Sequence, residues 1–175
     1  MRRFTFADRR RAAALPAVDV VFPVMHGTLC EDGTIQGLLE LTDLPYVGCG
    51  VLASAVGMDK EVAKRLARAA ALPIVPYVLA RRGTWEAELP ALTARVAQDL
   101  GYPCFVKPAC CGSSVGVHKV KTAAALRPAL ADAFRYDRKV LIEKAIDARE
   151  IEVAVLQSPD PSGAPLCSVP GEINP

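Results

Sequence analysis

One stretch of the sequence is more informative than any other: Tyr102-Pro103-Cys104-Phe105-Val106-Lys107-Pro108-Ala109-Cys110-Cys111-Gly112-Ser113-Ser114-Val115-Gly116-Val117. It predicts a short apolar strand ending in a lysine, a tight loop of small residues, and a second strand that begins near Val115. Gly112 and Gly116 allow positive φ and close backbone approach, so loop N–H groups can point at anionic oxygens. Lys107 adds a positive charge before the turn. The stretch predicts a phosphate-binding hairpin, and a plain glycine-containing hairpin with a solvent-facing lysine is the alternative.

The composition indicates a globular chain of one or two domains. It has 175 residues, of which 51% are hydrophobic, and this is ample for a packed core. The net charge is +2, with 21 basic and 19 acidic residues, and only 6% of the residues are aromatic. Nucleic-acid-binding surfaces usually combine a basic stripe with aromatic residues, so no nucleic-acid partner is expected.

The cysteines and histidines do not form a metal-binding pattern. Six cysteines are scattered without a CxxC pair, and His26 and His118 are far apart in the sequence. No apolar run has transmembrane length, and the arginine-rich segment 1–15, interpreted as a basic helix or a frayed tail, lacks the apolar stretch of a signal peptide. We therefore expect buried free thiols, no membrane partner and a reducing cytoplasm.

The first part of the chain has the pattern of an open α/β sheet. Residues 18–24 are a nearly continuous apolar run, typical of a strand buried on both faces of a parallel sheet. A polar loop, residues 26–33, follows at the carboxyl end of this strand, where such sheets bind ligands. Thr34 is expected to cap a helix that reaches about Leu41, with Leu38 and Leu41 facing inward, and residues 44–47 form the next predicted strand.

The remaining elements alternate between helices and strands. Asp59 is expected to cap a helix whose apolar face carries Val62, Leu66 and Ala70. Another helix should end at Gly101, and Thr122 should cap a helix after the hairpin. The predicted strands are residues 75–79, 139–146 and 151–156, and residues 158–163 form a turn.

Seven blocks in register closely resemble the D-alanine–D-alanine ligases of the ATP-grasp superfamily. They are Phe22-Pro-Val-Met-His26-Gly-Thr-Leu-Cys-Glu31-Asp-Gly-Thr-Ile-Gln-Gly, Tyr46-Val-Gly-Cys-Gly, Met58-Asp-Lys60, Phe105-Val-Lys107-Pro, Gly112-Ser-Ser-Val-Gly116, Glu143-Lys144 and Arg149-Glu150-Ile-Glu152-Val. The local departure is Ala109-Cys110-Cys111. The resemblance implies an α/β (α+β) chain with an incomplete ATP-grasp fold. Its parts would be a partial N-terminal pre-ATP-grasp domain (1–58), a central subdomain (59–149) and the beginning of a C-terminal subdomain (150–175).

The resemblance also implies a role for individual residues. Lys60 and Lys107 would contact ATP phosphates, the loop with Gly112, Ser113, Ser114 and Gly116 would close over the γ-phosphate, and Ser113 would also orient a hydroxyl toward the substrate. The adenine would be held by Glu143, Lys144, Ala145 and Ile146, and the ribose by Glu150. His26 and Glu31 would lie near the first D-alanine. Taken singly, His26 could be an ordinary loop histidine, Lys60 a solvated charge, and Glu143 and Glu150 salt-bridge partners of Lys144 and Arg149.

The implied chemistry is ATP-dependent joining of two D-alanines through an acyl phosphate, for peptidoglycan synthesis. The cofactors would be ATP and magnesium or manganese, but the family's metal ligands lie beyond Pro175, and Glu172-Ile173-Asn174 matches an earlier strand, so no metal ligand is assigned. The chain resembles an internal slice of the ligase, so we expect it to be inactive alone. A nucleotide-binding remnant without catalysis and a D-alanine–D-lactate or D-serine ligase remain alternatives. A homodimer is compatible with the resemblance.

Overall fold

The computed structural model describes residues 7–8, 13–14 and 18–173. The chain forms two compact units, Met1–Ala145 and Ile146–Pro175, and each is described by itself. Most of the arginine-rich segment 1–15 lies outside the described residues. Its described part differs from the predicted helix or tail, because β1 (Ala7–Asp8) pairs antiparallel with β2 (Ala13–Ala14).

The predicted strands 18–24 and 44–47 meet at one point of the described structure. An isolated parallel bridge joins Val21 to Tyr46, with Val21 N–H donating to Pro45 O at 2.8 Å and Val47 N–H donating to Val21 O at 2.9 Å. The expected burial of this segment on both faces is wrong, because Phe22 and Val24 are each 71% exposed. Within the described residues, no helix or second sheet covers them.

Helix α1 (Thr34–Leu41) has the predicted bounds but a different cap and a different buried face. Its N-cap is Gly33, at φ 93°, rather than Thr34. The Asp32 carboxylate accepts from Thr34 N–H at 3.0 Å, which replaces a cap from the threonine hydroxyl. Leu38 and Leu41, expected inside, are exposed, and the helix instead buries Gln36 and Leu39. Three leucines on nearly adjacent positions allow more than one face of the helix to point inward, and packing against neighbouring segments of the same chain decides which face is buried.

Two further helices follow, and the first of them is not indicated by the sequence pattern. Helix α2 spans Val51–Met58 and helix α3 spans Lys60–Ala69. The Asp59 cap is confirmed, since one carboxylate oxygen accepts from Glu61 N–H at 3.1 Å and from Val62 N–H at 3.2 Å. The predicted apolar face of α3 is wrong: Leu66 is 53% exposed, whereas Glu61 is buried. Ion pairs with the following sheet, rather than apolar packing, select the inward face.

The larger unit is built on a four-stranded sheet with the order β3-β6-β4-β5, in which all neighbouring strands are antiparallel. Its strands are β3 (Tyr77–Arg81), β4 (Cys104–Pro108), β5 (His118–Val120) and β6 (Lys139–Lys144). Helix α4 (Trp85–Asp99) connects β3 to β4 and is followed by Gly101 at φ 71°, as expected for a helix end. A 3-10 turn (Ala123–Ala125) and helix α5 (Leu126–Tyr136) connect β5 to β6.

One face of this sheet forms the hydrophobic core with α4 and α5. Alternate strand residues point into it, including Val106 and Ile142, which have no exposed surface. From the helices, Val96 and Leu130 are equally buried, and the rings of Trp85 and Phe134 stack with centroids 5.3 Å apart. The opposite face carries polar and aromatic side chains and is available for a site.

The smaller unit consists of two short antiparallel pairs. Strand β7 (Glu150–Glu152) pairs with β10 (Gly171–Ile173), and β8 (Val155–Leu156) pairs with β9 (Leu166–Cys167). The predicted strand 151–156 is therefore interrupted at residues 153–154, because its two ends pair with different partners. The turn predicted at 158–163 is present, with Gly163 N–H donating to Asp160 O at 2.9 Å. Among the described helices of the chain, none has the length and apolar character needed to cross a membrane.

Replacing Leu130 with alanine should destabilise the larger unit by about 2–5 kcal/mol, because the side chain is fully buried and its loss leaves a cavity between α5 and the sheet. The matched control is Leu72→Ala, at a position that is 59% exposed, where about 0.5 kcal/mol or less is expected. Urea unfolding of the protein that contains this chain checks the difference. Equal losses in both variants would contradict the assignment of the core.

Candidate functional site

The central hairpin is formed by β4 and β5, as the sequence predicts. Phe105 pairs with Lys119 and Val106 with His118 in antiparallel register. The second strand starts at His118 rather than near Val115, because the connecting loop is longer than expected. Within this loop, Val115 N–H donates to Gly112 O at 3.1 Å, and a second turn follows at once. We call residues 109–117 the glycine loop.

The glycine loop contains successive residues in the left-handed backbone region. Ser113 and Ser114 have φ values of 49° and 56°, and Gly116 has φ 68°. At Gly116 a Cβ atom would lie 2.6 Å from the Tyr136 ring and 2.9 Å from Pro108 Cγ, so only glycine fits. Gly112 is not among the positive-φ residues, contrary to expectation, and a Cβ atom there would make only ordinary van der Waals contacts. Successive backbone N–H groups in turns of this kind can form an anion-binding concavity.

The start of α3 is attached to the first half of the glycine loop. Lys60 Nζ donates to the carbonyl of Cys111 at 2.6 Å, and Lys60 N–H donates to the carbonyl of Ala109 at 3.0 Å. The Lys60 ammonium, predicted to contact phosphate, therefore lies directly against the loop. This places a cation beside the loop's backbone without a carboxylate partner among the described contacts.

A second set of contacts fixes the same region from the beginning of β6. Lys139 Nζ forms ion pairs with Asp59 and Glu61, the latter at 3.1 Å. Asp137 accepts a hydrogen bond from Cys110 N–H at 2.6 Å. Burial raises the pKa of Asp59, but the hydrogen bond from Lys139 and the backbone N–H groups lower it more, so the net pKa is below its usual value. Asp59, directly before Lys60, thus stays ionised and paired with Lys139.

The sheet face opposite the core carries a row of directly paired residues across all four strands. Tyr77 of β3 pairs with Glu143 of β6, Glu143 pairs with Phe105 of β4, and Phe105 pairs with Lys119 of β5. Since directly paired residues share a face, these side chains lie side by side. Lys107 lies two residues along β4 from Phe105 and therefore points to the same face. We call these five residues the cross-sheet row.

Glu143 is the most buried member of the row and is held by two lysines. It is 6% exposed, and its carboxylate contacts Lys64 Nζ at 3.0 Å and Lys107 Nζ at 2.7 Å. Burial raises the pKa of Glu143, but the hydrogen bonds from Lys107 and Lys64 lower it by a larger amount. The net pKa is therefore below the usual 4.5. Glu143 is therefore not a partner of Lys144, the alternative that the sequence left open. Lys64 was not indicated by the sequence, because a lysine within a helix is ordinarily a solvated charge.

The two aromatic rings of the row are both flanked by cations. Lys107 and Lys119 lie 5.5 and 5.7 Å from the centre of the Phe105 ring. Lys64 and the Arg68 guanidinium lie 5.6 and 5.5 Å from the centre of the Tyr77 ring. Aromatic faces next to several cations suit a ligand that combines a planar ring with negative charge.

The polar loop predicted to bind substrate lies next to the glycine loop. A Cβ atom built on Gly112 would lie 3.6 Å from Gly27 Cα and 3.7 Å from Glu31 Oε2. Glu31 accepts a hydrogen bond from Gly27 N–H, and His26 Nδ1 is 3.9 Å from the other Glu31 oxygen. The polar loop and the glycine loop, which the sequence predicts to bind ligands, are therefore in contact.

An open cavity of about 560 Å³ adjoins the polar loop. Its lining includes His26, Cys30, Glu31 and Gln36. Gln36 is 8% exposed, and its amide N–H donates to Cys30 O at 3.1 Å, while its Oε1 has no hydrogen-bond partner within the described residues. The sequence did not single out Gln36, since nothing in a helical pattern distinguishes a polar residue that points inward.

The other predicted nucleotide-binding residues lie near the end of β6 and in the smaller unit. Lys144 N–H donates to Pro76 O at 3.1 Å and Ala145 N–H to Pro103 O at 3.3 Å. Ile146 and Glu150 belong to the smaller unit, where Glu150 begins β7. Arg149 pairs with Glu172 at 2.6 Å rather than with Glu150, so that alternative for Glu150 is wrong.

The sequence matches one known protein family along most of its length. The sequence model of the D-ala D-ala ligase C-terminus matches residues 66–175, and that of the N-terminus matches residues 2–49. The chain belongs to the D-alanine–D-alanine ligase family. It is 57% identical to D-alanine–D-alanine ligase A of Bradyrhizobium diazoefficiens over 94% of this chain and 43% of that relative. The corresponding ligase of Geobacillus thermodenitrificans is 53% identical over 90% of this chain and 42% of its own length.

Solved structures of the family give the same result for the fold. The D-alanine–D-alanine ligase of Coxiella burnetii aligns with a TM-score of 0.78 and 40% identity, over 98% of this chain and 50% of that one. VanG D-Ala:D-Ser ligase of Enterococcus faecalis aligns with a TM-score of 0.76 and 37% identity, over 89% of this chain and 43% of that one. The predicted incomplete ATP-grasp fold is confirmed, and the chain spans less than half the length of the curated relatives it matches.

The thiol of Cys110, in the segment expected to depart from the family, is not reactive. Burial and the negative charges of Asp137 and Asp59 raise the pKa of Cys110 to about 12. Its thiol is therefore protonated at neutral pH, and only thiolates are good nucleophiles. Throughout residues 18–173 and the short pair before them, no cluster of three or more His, Cys, Asp or Glu side chains could hold a metal ion.

Gly116→Ala should destabilise the protein more than Gly83→Ala. Both glycines have positive φ, 68° and 96°, so the backbone strain is shared, but a Cβ atom has open space at Gly83 and meets Tyr136 and Pro108 at Gly116. We expect an additional loss of about 1–3 kcal/mol from overpacking. Urea unfolding of the two variants checks this, and similar losses would show that the contact with Tyr136 is not restrictive.

Glu143→Gln should lower the free energy of unfolding at neutral pH and make that free energy depend less on pH in the acid range. Because the folded pKa of Glu143 is depressed, its stabilisation is present above the unfolded pKa, near 4.5, and is lost as the pH falls through the folded value. The difference in free energy of unfolding between the parent and Glu143→Gln should therefore shrink below about pH 4.5. Urea titrations at several pH values measure this difference, with Glu88→Gln, at an exposed position of α4, as the control. A constant difference would contradict the assigned pKa shift.

Proposed function

We propose that the protein containing this chain is an ATP-dependent ligase that joins two D-alanines to D-alanyl-D-alanine for peptidoglycan synthesis in the cytoplasm. The observation that carries this proposal is the convergence of two features of the larger unit. The glycine loop, held by Lys60, contacts the loop of His26 and Glu31, and the cross-sheet row with Lys107 and Glu143 begins at the strand that leads into it. A phosphate site and a substrate site would thus be neighbours.

The residues present fit ATP by their chemistry. Lys60 and Lys107 would bind its phosphates, and the backbone N–H groups of Gly112, Ser113, Ser114 and Gly116 would enclose the γ-phosphate. Carboxylate and backbone groups at Glu143, Lys144, Ala145 and Ile146 would hold the adenine, and Glu150 would hold the ribose hydroxyls. The aromatic rings of the cross-sheet row support this proposal, because they offer an apolar surface beside the cations.

The first D-alanine would occupy the cavity beside the polar loop. A cavity of about 560 Å³ is larger than one small amino acid needs, and Glu31, which lines it, lies next to Gly112, so that a bound carboxylate would be close to the glycine loop. His26 and Glu31 would orient the amino acid, and the Ser113 hydroxyl would face the junction between substrate and nucleotide. These roles follow from the family and from the contact between the two loops.

Catalysis would rest on positioning and on neutralising charge. The D-alanine carboxylate attacks the γ-phosphorus of ATP and ADP leaves, after which the amine of the second D-alanine attacks the acyl phosphate and displaces inorganic phosphate. Lys60, Lys107 and the loop N–H groups would offset the negative charge that moves between these oxygens. Magnesium or manganese is expected for the family, but the described side chains do not form a site for it, so no step is assigned to it.

The choice of the second substrate rests on the relatives. The most similar curated proteins considered above are named D-alanine–D-alanine ligases, at 57% and 53% identity, whereas the D-Ala:D-Ser ligase VanG is 37% identical. D-Alanine is therefore the proposed second substrate, and D-serine is the alternative that the similarity to VanG keeps open.

The boundaries proposed for the subdomains remain residues 58/59 and 149/150.

Lys107→Ala should lower ATP affinity and turnover together by at least about tenfold, since a cation on the phosphates stabilises bound ATP and stabilises the transferring phosphoryl group more strongly in the transition state. Ser113→Ala should weaken ATP binding less, because a neutral hydroxyl contributes less than a charge-assisted contact. ATP titration calorimetry and D-alanine-dependent phosphate release measure the two effects in the protein that contains this chain.

The matched control is Lys121→Ala, an exposed lysine beyond β5 that should change neither quantity. An unchanged ATP affinity in Lys107→Ala would refute the role of Lys107. ATP binding without D-alanine-dependent phosphate release in the parent protein would instead favour a nucleotide-binding remnant. D-serine incorporation in preference to D-alanine would change the assigned substrate.

A further inference from the structure

Lys64 lies on the same side of α3 as Lys60, four residues later, but has a different environment. The side chain is 17% exposed, and its Nζ contacts the Glu143 carboxylate at 3.0 Å and the carbonyl of Val75 at 3.3 Å. The Tyr77 ring lies 5.6 Å from the same atom. Three neighbours therefore fix the ammonium, which is too enclosed to act as a free phosphate contact.

The two oxygens of Glu143 are divided between two lysines. Oε1 accepts from Lys64 and Oε2 accepts from Lys107, so the carboxylate is held at both ends. A carboxylate held by one lysine alone could rotate about its last bond, whereas two cations on separate oxygens restrict this rotation. Lys64 thereby determines the orientation of the carboxylate that the proposed function assigns to adenine.

The trio of Lys64, Glu143 and Lys107 also has a net charge of +1. If Lys64 were absent, the buried carboxylate would neutralise Lys107 alone, and the positive potential at Lys107 would fall. With Lys64 present, Glu143 is shared, and Lys107 retains charge for an anionic ligand. The row can therefore hold a buried carboxylate and a phosphate-binding lysine 2.7 Å apart.

We propose that Lys64 is a positioning residue of the nucleotide site, which orients the Glu143 carboxylate toward the purine amine and leaves the charge of Lys107 available for phosphate. The proposal rests on the proposed function. It implies selectivity between purines: the adenine amine donates to a carboxylate, whereas guanine has a carbonyl oxygen at that position, which the carboxylate repels. Without Lys64, both the selectivity for adenine over guanine and the charge that Lys107 offers to phosphate should decrease.

The experiment measures ATP and GTP affinities in the same preparation of the protein that contains this chain. Lys64→Met should narrow the preference for ATP over GTP by about tenfold, which is the size expected for the loss of a hydrogen bond to a charged group. The Michaelis constant for ATP should rise while kcat at saturating ATP changes by less than about threefold. Lys64→Arg, which keeps the charge and a donor, should restore most of the preference. The ratio does not depend on the folded fraction, because both nucleotides are titrated into one sample.

Lys139→Met is the matched control for the loss of a buried lysine. Lys139 is 19% exposed and pairs with two carboxylates, but it does not contact Glu143. Its loss should weaken ATP and GTP binding alike and leave their ratio unchanged. If Lys64→Met yields no folded protein, Lys64→Gln takes its place with the same expected narrowing.

Glu143→Gln separates the inference from the proposed function. If Glu143→Gln leaves the ATP/GTP ratio unchanged, the adenine role of Glu143 in the proposed function is wrong. If Glu143→Gln narrows the ratio and Lys64→Met does not, the role of Lys64 is overturned while the proposed function stands. Narrowing of the ratio in Lys139→Met to the same extent would also overturn it, since any buried ion pair would then have the same effect.

Discussion

The structure of the larger unit depends on burial of both faces of β6. This strand lies between β3 and β4, and four consecutive residues, Val140 to Glu143, are buried. Its apolar side packs on α4 and α5, whereas its other side ends in a carboxylate. Burying a carboxylate is costly unless it is paired, so Glu143 requires cations from neighbouring elements. Lys107 on β4 and Lys64 on α3 supply them, and α3 is thereby connected to the sheet.

The same principle operates at the other end of β6. Lys139 at its start pairs with Asp59 and Glu61 at the start of α3, so each end of one strand is connected to one helix by an ion pair. Buried ion pairs add little net stability, because desolvation offsets most of the attraction, but removing one partner costs about 3–5 kcal/mol. Such pairs specify a position rather than supply stability. The position specified here is that of Lys60, between Asp59 and Glu61 and against the glycine loop.

Apolar packing supplies stability and ion pairs specify position, and this difference accounts for the character of the two sheet faces. The core face is apolar and supplies the stability that holds β3 to β6 in register. The opposite face buries Leu141 but otherwise carries charged and aromatic side chains, which it can present to a ligand. The glycine loop is held beside this face by directional hydrogen bonds with Lys60 and Asp137, which keep it in place.

The sequence by itself determined the family, the hairpin, most element bounds in residues 59–146 and the residues that line the glycine loop. These follow from local signals: Asp59 as a cap, Gly101 after a helix, and the alternation of apolar residues in β4. Only the tertiary structure decided the inward faces of α1 and α3, the partners of Glu143 and Arg149, and the contacts of Lys64 and Gln36. The reason is physical: capping and turn formation involve neighbours in sequence, whereas Lys64 and Glu143 are far apart along the chain and meet only when α3 reaches β6. A helical pattern with leucines on several faces, or with a lysine among polar residues, does not specify which neighbour it will contact.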